Sequence, residues 1–164
     1  MNQQLQELQT QIAQGIWRVM PEHHWIRTVF VEKAIKPYFH ATGNVELANG
    51  QISRVNGVSG DIFVAFRSLR PEMAKLHDNG HAWYTATFTL TTDGKFKFDF
   101  DYDHLPAFDI MPSPDKWLDE FKHYPRPELQ ALIQDWIDGE ITYDDDDEVA
   151  YAALIKRLKD ASAP

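Results

Sequence analysis

The sequence predicts an α+β fold: an antiparallel sheet that includes a long aromatic hairpin, packed by an N-terminal helix, a middle helix and C-terminal helices. Apolar residues recur every three or four positions near the N-terminus and again in the middle of the chain, which is typical of amphipathic helices. Two later segments alternate apolar and polar residues on either side of an Asp-Gly pair, which is typical of a hairpin. This order of elements favours antiparallel strands in a single domain over residues 1–164.

Helical spacing predicts the first helix over residues 3–20, and Pro21 ends it because proline has no N–H for the next turn. The same spacing predicts a middle helix over residues 59–77. Pro71 lies inside that pattern and either kinks the helix or begins a second short one. Runs of β-branched and aromatic residues between the two helices predict three strands, over residues 25–34, 38–42 and, weakly, 45–55.

The hairpin consists of predicted strands over residues 83–91 and 95–103. A two-residue loop would mix apolar and polar side chains on both faces, whereas a three-residue loop separates them into one apolar and one polar face. The three-residue loop gives the pairs Leu90 with Phe96, Phe88 with Phe98, Ala86 with Phe100 and Tyr84 with Tyr102. The sequence therefore predicts a type I turn followed by Gly94 in the left-handed conformation.

Prolines punctuate the chain after the hairpin, and three further helices are predicted, over residues 114–123, 127–138 and 145–161. Ser113 is a candidate N-cap of the first of them, and Gly139 ends the second. The last helix is expected to bury one apolar stripe, formed by Val149, Ala152, Ala153, Ile155 and Leu158.

The composition limits the location and the chemistry of the chain. It has no cysteine, which excludes disulfides, thiolate metal sites and cysteine nucleophiles. The glutamine-rich N-terminus lacks the basic start and apolar run of a signal peptide. The longest segment without Asp, Glu, Lys or Arg, residues 79–92, is too short to cross a bilayer. We therefore expect a soluble cytoplasmic protein.

The net charge of −9 is distributed unevenly along the chain. Residues 1–90 carry a net charge of +1, whereas residues 91–164 carry −10. This excess disfavours binding to nucleic acid or to an anionic membrane, since lysine and arginine are needed to neutralise phosphates. It favours association with a basic protein surface, although an acidic surface also serves solubility alone.

Three carboxylates, Asp99, Asp101 and Asp103, alternate along the second hairpin strand and are expected to share one face. This row is a solvated strand face, a docking face for a partner, or a metal or catalytic site together with His104. The last interpretation is disfavoured because neighbouring carboxylates in such a row lie about 7 Å apart. His104 is also expected to point to the opposite face.

A second acidic group lies near the C-terminus and comprises Asp135, Asp138, Glu140, Asp144, Asp145, Asp146, Asp147 and Glu148. One or two acids are enough to cap the last helix and to complement its dipole. The surplus of like charges is mildly destabilising and indicates a surface that meets a lysine- and arginine-rich partner. Trp117 and Trp136 lie in the same half of the chain and are candidate interface anchors.

Residues 83–105 resemble the hairpin of the YezG-type antitoxin and immunity protein family. In that family a strand leads into a Gly-Lys-Phe turn and an alternating aromatic and acidic strand. The matching residues here are Gly94, Lys95, Phe96, Phe98, Asp99, Asp101, Tyr102 and Asp103. The resemblance implies a cytoplasmic α+β immunity protein that binds and neutralises a cognate toxin, commonly a nuclease domain, and it carries over no catalytic residue.

The sequence contains no P-loop, dinucleotide-binding, nucleophile-elbow or zinc-protease motif. We therefore expect a binding protein without cofactor or metal rather than an enzyme, with one basic toxin domain bound per chain. The acidic residues of both groups and the two tryptophans are its candidate toxin-binding residues. Two alternatives stay open: a small metal-dependent hydrolase that uses the aspartate row, and a general protein-interaction module.

Overall fold

Five strands, and helices on both sides of them, make up the part of the chain that the computed structural model describes, residues 2–139 and 148–162. The strands are β1 (Trp25–Ile35), β2 (Tyr38–Leu47), β3 (Ile52–Arg54), β4 (Thr85–Thr91) and β5 (Phe96–Asp101). The helices are α1 (Gln3–Trp17), α2 (Gly60–Leu76), α3 (Pro114–His123), α4 (Pro127–Gln130), α5 (Gln134–Ile137) and α6 (Glu148–Ser162). The strands pair antiparallel in the order β3-β2-β1-β4-β5. The predicted α+β class with an antiparallel sheet is confirmed.

The first two helices follow the predicted pattern with different details. α1 ends at Trp17 because the next amides donate to carbonyls three positions back, Val19 to Ile16 and Met20 to Trp17. This tighter turn ends the helix before the proline does. α2 continues through Pro71 as one helix, so Pro71 does not begin a second helix.

The hairpin has the predicted register. Leu90 pairs with Phe96, Phe88 with Phe98 and Ala86 with Phe100. Gly94 takes the left-handed conformation, with φ of 82°. Both strands are shorter than predicted at the open end of the hairpin, since β4 begins at Thr85 and β5 ends at Asp101. Tyr84 and Tyr102 therefore lie outside the paired strands.

Other predicted elements have different boundaries. β2 continues to Leu47, which limits the predicted third strand to Ile52–Arg54. The predicted helix over residues 127–138 is divided into α4, a 3₁₀ turn at Ala131–Ile133, and α5. α6 buries Leu154 and Leu158, whereas the predicted Ala152 and Ala153 are exposed. The residues predicted to begin this helix, 145–147, lie outside the described residues.

The first hydrophobic core lies between one face of the sheet and the helices α1 and α2. Even-numbered residues of β1, β4 and β5 face this core, including Phe30, Phe88 and Phe98. Phe30 occupies the space above Gly43, where a Cβ atom would come 2.2 Å from the Phe30 ring. A larger residue at position 43 would therefore displace this ring and disturb the middle of the sheet.

The second hydrophobic core lies at the end of the sheet where β1 finishes and β4 begins. It contains Ile35 and Tyr84 of the sheet region together with apolar residues of the C-terminal helices, among them Phe108, Trp117, Phe121, Ile133, Trp136, Leu154 and Leu158. The second core thus covers one end of the sheet. The threonines of β4, at positions 85, 87, 89 and 91, stay partly exposed on the outer face of the sheet.

A buried ion pair joins the two cores. The Arg70 guanidinium of α2 donates to both carboxylate oxygens of Glu120 in α3, at 2.7 and 2.9 Å. Its Nε donates to the Trp83 carbonyl at 2.6 Å, and the Lys36 amide donates to Glu120 Oε1 at 2.7 Å. The side chains of Arg70 and Glu120 are 4% and 0% exposed, so each charge depends on the other for compensation.

Replacing Glu120 with glutamine is expected to lower the free energy of unfolding by about 3–5 kcal/mol, because it leaves the Arg70 guanidinium buried without a counter-charge. Urea unfolding followed by circular dichroism measures this change. The matched control is Glu72→Gln, which opens the exposed Lys75–Glu72 pair and is expected to cost less than about 1 kcal/mol. Equal effects of the two substitutions would contradict the structural role of the buried pair.

Glu32 is a second buried acidic side chain. It lies on β1 opposite Ala41 and Ala86, and its carboxylate oxygens have no hydrogen-bond partner among the described residues. Burial raises the pKa of Glu32 to about 8, and the positive charges of Arg67 and Arg70 only partly offset this shift. Glu32 therefore carries a proton in the folded chain at neutral pH.

The stability of the fold is expected to fall as the pH rises from about 4.5 to about 8, by up to about 1.4 kcal/mol per pH unit from Glu32. In this interval the unfolded chain has released the Glu32 proton and the folded chain still holds it, so alkaline conditions favour unfolding. The measurement compares the pH dependence of the unfolding free energy in the natural chain and in Glu32→Gln. The difference in unfolding free energy between the two proteins gives the contribution of the Glu32 carboxyl group. A difference that does not change between pH 4.5 and pH 8 would contradict the prediction.

Candidate functional site

Asp99 and Asp101 lie on the outer face of the hairpin, as predicted, whereas Asp103 follows the end of β5. Each of the three carboxylates has a cationic or imidazole neighbour. Asp99 lies 3.5 Å from the Lys97 ammonium, and Asp103, whose side chain is 82% exposed, lies 3.7 Å from the Arg126 guanidinium. Asp101 contacts the ring of His104. The row is therefore a mixed-charge surface and not a uniformly negative one.

His104 does not point away from the row as the strand alternation predicts. Its Nδ1 lies 2.9 Å from Asp101 Oδ2, because β5 ends at Asp101 and the chain turns back. The amides of Asp103 and His104 donate to Asp101 Oδ1 at 2.9 and 3.1 Å. The Asp101 carboxylate thus stabilises the turn that follows the strand, in the manner of an Asx turn.

The geometry of the row does not match a metal centre. Within residues 2–139 and 148–162, no three histidine, aspartate or glutamate side chains come together as a set of metal ligands. Asp99 and Asp101 point to the same face of one strand, and consecutive side chains on one face of a strand lie about 7 Å apart. The alternative of a metal-dependent hydrolase therefore has no assembled site in this part of the chain.

The C-terminal acidic group is described only in part. Asp135 lies 3.2 Å from Arg157 of α6, and Asp138 accepts a hydrogen bond from Gln134 at 2.8 Å. Glu148 begins α6. Glu140, Asp144, Asp145, Asp146 and Asp147 lie outside the described residues.

Trp117 and Trp136, predicted as interface anchors, are core residues. Their exposed fractions are 0% and 2%, and both contribute to the second hydrophobic core. Trp117 stacks on Phe121 and donates its indole N–H toward the Met111 sulfur at 3.3 Å. Neither tryptophan therefore belongs to the candidate binding surface.

A groove of about 1020 Å³ lies at the opposite end of the sheet, around the link between α1 and β1. Trp17, the one exposed tryptophan of the five, is 46% exposed here and packs edge-on against Trp25, with 5.8 Å between ring centroids. His24 beside it takes a left-handed conformation, with φ of 67°, and its carbonyl accepts from the Ala48 amide. Exposed tryptophans of this kind are frequent energetic centres of protein interfaces.

The sequence reasoning missed Trp17, although a signal was present. Trp17 follows Ile16 directly, and consecutive residues of a helix lie about 100° apart. A large aromatic residue beside the apolar stripe, and not on it, is expected at the border of the core and is thus a candidate surface contact.

A family model of immunity proteins, described as YezG-like, matches residues 5–130. The chain belongs to the YezG-like immunity protein family. The match extends from α1 to α4, so it includes the whole sheet and the first core. It leaves out α5, α6 and the whole of the C-terminal acidic group. A comparison with curated proteins finds no match.

The YezG-like assignment agrees with surface features that suit contact with a protein partner. Among the described residues, no helix has both the length and the apolar character needed to cross a membrane. The features of the surface are instead a mixed-charge strand, part of an acidic segment and an exposed tryptophan. Such features recognise a protein partner through charge and apolar burial.

Proposed function

We propose that this chain is a cytoplasmic immunity protein that binds a cognate toxin domain and thereby neutralises it. The observation that carries the proposal is the YezG-like family match over residues 5–130. The stoichiometry we propose is one toxin domain per chain. Neutralisation is by binding alone, without catalysis by the chain.

We further propose that the toxin is a nuclease with a basic surface. The support is electrostatic: residues 91–164 carry a net charge of −10, and a nuclease needs positive charge to hold the phosphates of its substrate. Opposite charges accelerate the association of two proteins and select the correct partner. A cytoplasmic location follows from the same proposal, since the nucleic acid to be protected is there.

The proposed toxin-binding surface is the C-terminal acidic group, consisting of Asp135, Asp138, Glu140, Asp144, Asp145, Asp146, Asp147 and Glu148. Its position favours variation between family members, because all of it follows the segment that the family model matches. Partner specificity is expected where sequence is free to differ without loss of the core. The Trp17 groove is the competing surface, and it lies at the end of the sheet where β1 begins.

The experiment that tests the proposed function is co-expression with the toxin domain encoded next to this chain. Rescue of host growth and co-purification of the two proteins in equal amounts are the expected results. Nuclease activity of the purified toxin domain, lost on addition of the chain, tests the proposed toxin class separately. Continued toxicity with both proteins folded would contradict the immunity function and would favour the general interaction module.

Neutralising Asp144, Asp145, Asp146 and Asp147 with asparagine is expected to slow toxin association about tenfold or more at low salt, since the acidic surface steers a basic partner. Stopped-flow or surface-plasmon association rates over a salt series measure the effect. Dissociation is expected to change less than association. The rate advantage of the natural chain is expected to shrink as salt screens the charges.

The matched control removes the same number of negative charges from exposed positions outside both candidate surfaces, Glu7, Asp61, Asp78 and Asp115. This variant has the same net charge and is expected to associate faster than the asparagine variant. A third variant, Trp17→Ala, tests the groove. Loss of binding in Trp17→Ala with unchanged rates in the asparagine variant would move the interface to the opposite end of the sheet.

A further inference from the structure

β5 is an edge strand of the sheet, and its outer side pairs with no strand among residues 2–139 and 148–162. The Thr91 amide donates to the Lys95 carbonyl, so odd-numbered residues of this strand direct their backbone groups toward β4. The even-numbered residues Phe96, Phe98 and Phe100 therefore direct N–H and C=O groups toward the open edge. Such an edge accepts a further strand unless side chains prevent it.

The charges along this edge change sign at its centre. On the outer face the strand presents Lys95 and Lys97 and then Asp99 and Asp101. The side chains of Lys97 and Asp99 are 69% and 64% exposed, and they are only 3.5 Å apart on the same strand. Charged side chains, lysines above all, usually discourage a further strand from pairing with an edge. This order instead has the symmetry of a self-complementary surface.

An antiparallel copy of the strand placed about Phe98 matches every charge with its opposite. Phe98 then lies opposite Phe98 of the second copy, and Phe96 lies opposite Phe100. Lys97 lies opposite Asp99, and Lys95 lies opposite Asp101. In this register the two residues of each pair have numbers that sum to 196, so even-numbered residues pair with even-numbered residues. The outward N–H and C=O groups of the three phenylalanines therefore face outward N–H and C=O groups of the second copy.

We propose that β5 pairs with β5 of a second copy of this chain, antiparallel and centred on Phe98, to form a continuous ten-stranded sheet. The twofold axis is perpendicular to the sheet, so the face that carries α1 and α2 in one copy continues as the same face in the other copy. Three hydrogen-bonded pairs and four Lys–Asp contacts form across the junction. Parallel pairing is disfavoured because it places lysine beside lysine.

The aromatic face of the strand supports the same pairing. Phe96 is 40% exposed, although Phe98 and Phe100 stack beside it with centroids 5.9 Å apart. A groove of about 470 Å³ between α1 and the hairpin leaves one side of Phe96 open. In the paired sheet, Phe100 of the second copy lies across the edge from Phe96, and aromatic cross-strand pairs stabilise sheets. The opposite edge strand, β3, has only three residues and offers no comparable pattern.

The test is the self-association of the purified chain without toxin, followed by analytical ultracentrifugation over a concentration series. We expect a monomer–dimer equilibrium in the natural chain. The single substitutions Lys97→Asp and Asp99→Lys each create two like-charge contacts across the axis, and each is expected to weaken dimerisation about tenfold. The double substitution Lys97→Asp with Asp99→Lys restores opposite charges and is expected to recover dimerisation.

The control variant is Lys75→Asp, which makes the same charge change at a residue that is also 69% exposed but lies on α2. It is expected to dimerise as the natural chain does. Circular dichroism melting confirms that all four variants are folded. A natural chain that stays monomeric at its highest soluble concentration would overturn the proposal, and so would single substitutions that leave the dimer unchanged.

Disulfide trapping tests the register directly, because the chain has no cysteine of its own. A mixture of Lys97→Cys chains and Asp99→Cys chains is expected to form mixed disulfide dimers on mild oxidation, since these positions face each other. Each variant alone is expected to crosslink more slowly. Equal rates in the mixture and in the separate variants would overturn the proposed register. Neither test involves the toxin, so the outcome is independent of the immunity function.

Discussion

The buried pair of Arg70 and Glu120 is the contact on which the arrangement of the two cores depends. A guanidinium has five donors in a fixed plane, and here three of its nitrogens bond to the Glu120 carboxylate and the Trp83 carbonyl. The carboxylate also receives the Lys36 amide from the β1–β2 turn. A buried ion pair adds little net stability compared with well-packed apolar residues. Its contribution here is geometric, because its bonds hold α2, α3 and the end of the sheet in one relative position.

The family match divides the chain into a segment that contains the whole sheet and a C-terminal segment outside the match. The family match spans the sheet and the first core and ends in α4. The C-terminal acidic group follows the matched segment, and Trp136 of α5 and Leu158 of α6 belong to the second core. An immunity protein needs both properties: a scaffold that stays the same and a surface that is free to match a particular toxin. The C-terminal acidic group lies outside the matched segment, so substitutions in it leave the residues of the sheet and of the first core unchanged.

Predictions from the sequence were accurate where the alternation or spacing of apolar residues alone determined the local structure. The hairpin register is confirmed because only one loop length places all apolar side chains on the same face. Reasoning failed where tertiary contacts decided the outcome. His104 contacts Asp101 because the chain leaves the sheet after Asp101, and strand alternation does not apply beyond a strand end. In α6 the core selects Leu154 and Leu158 over the neighbouring alanines, since larger side chains reach it.

The sequence by itself determined the fold class, the hairpin with its turn at Gly94, the absence of thiol chemistry and the uneven charge. These properties depend on local spacing and on composition. Only the tertiary structure decided that Trp117 and Trp136 are core residues, that Trp17 is exposed and that Arg70 meets Glu120. Each of these facts depends on contacts between segments far apart in the chain. Hydropathy predicts that a tryptophan contacts other apolar groups. The packing of the helices against the sheet decides whether that tryptophan is buried in the core or exposed at the surface.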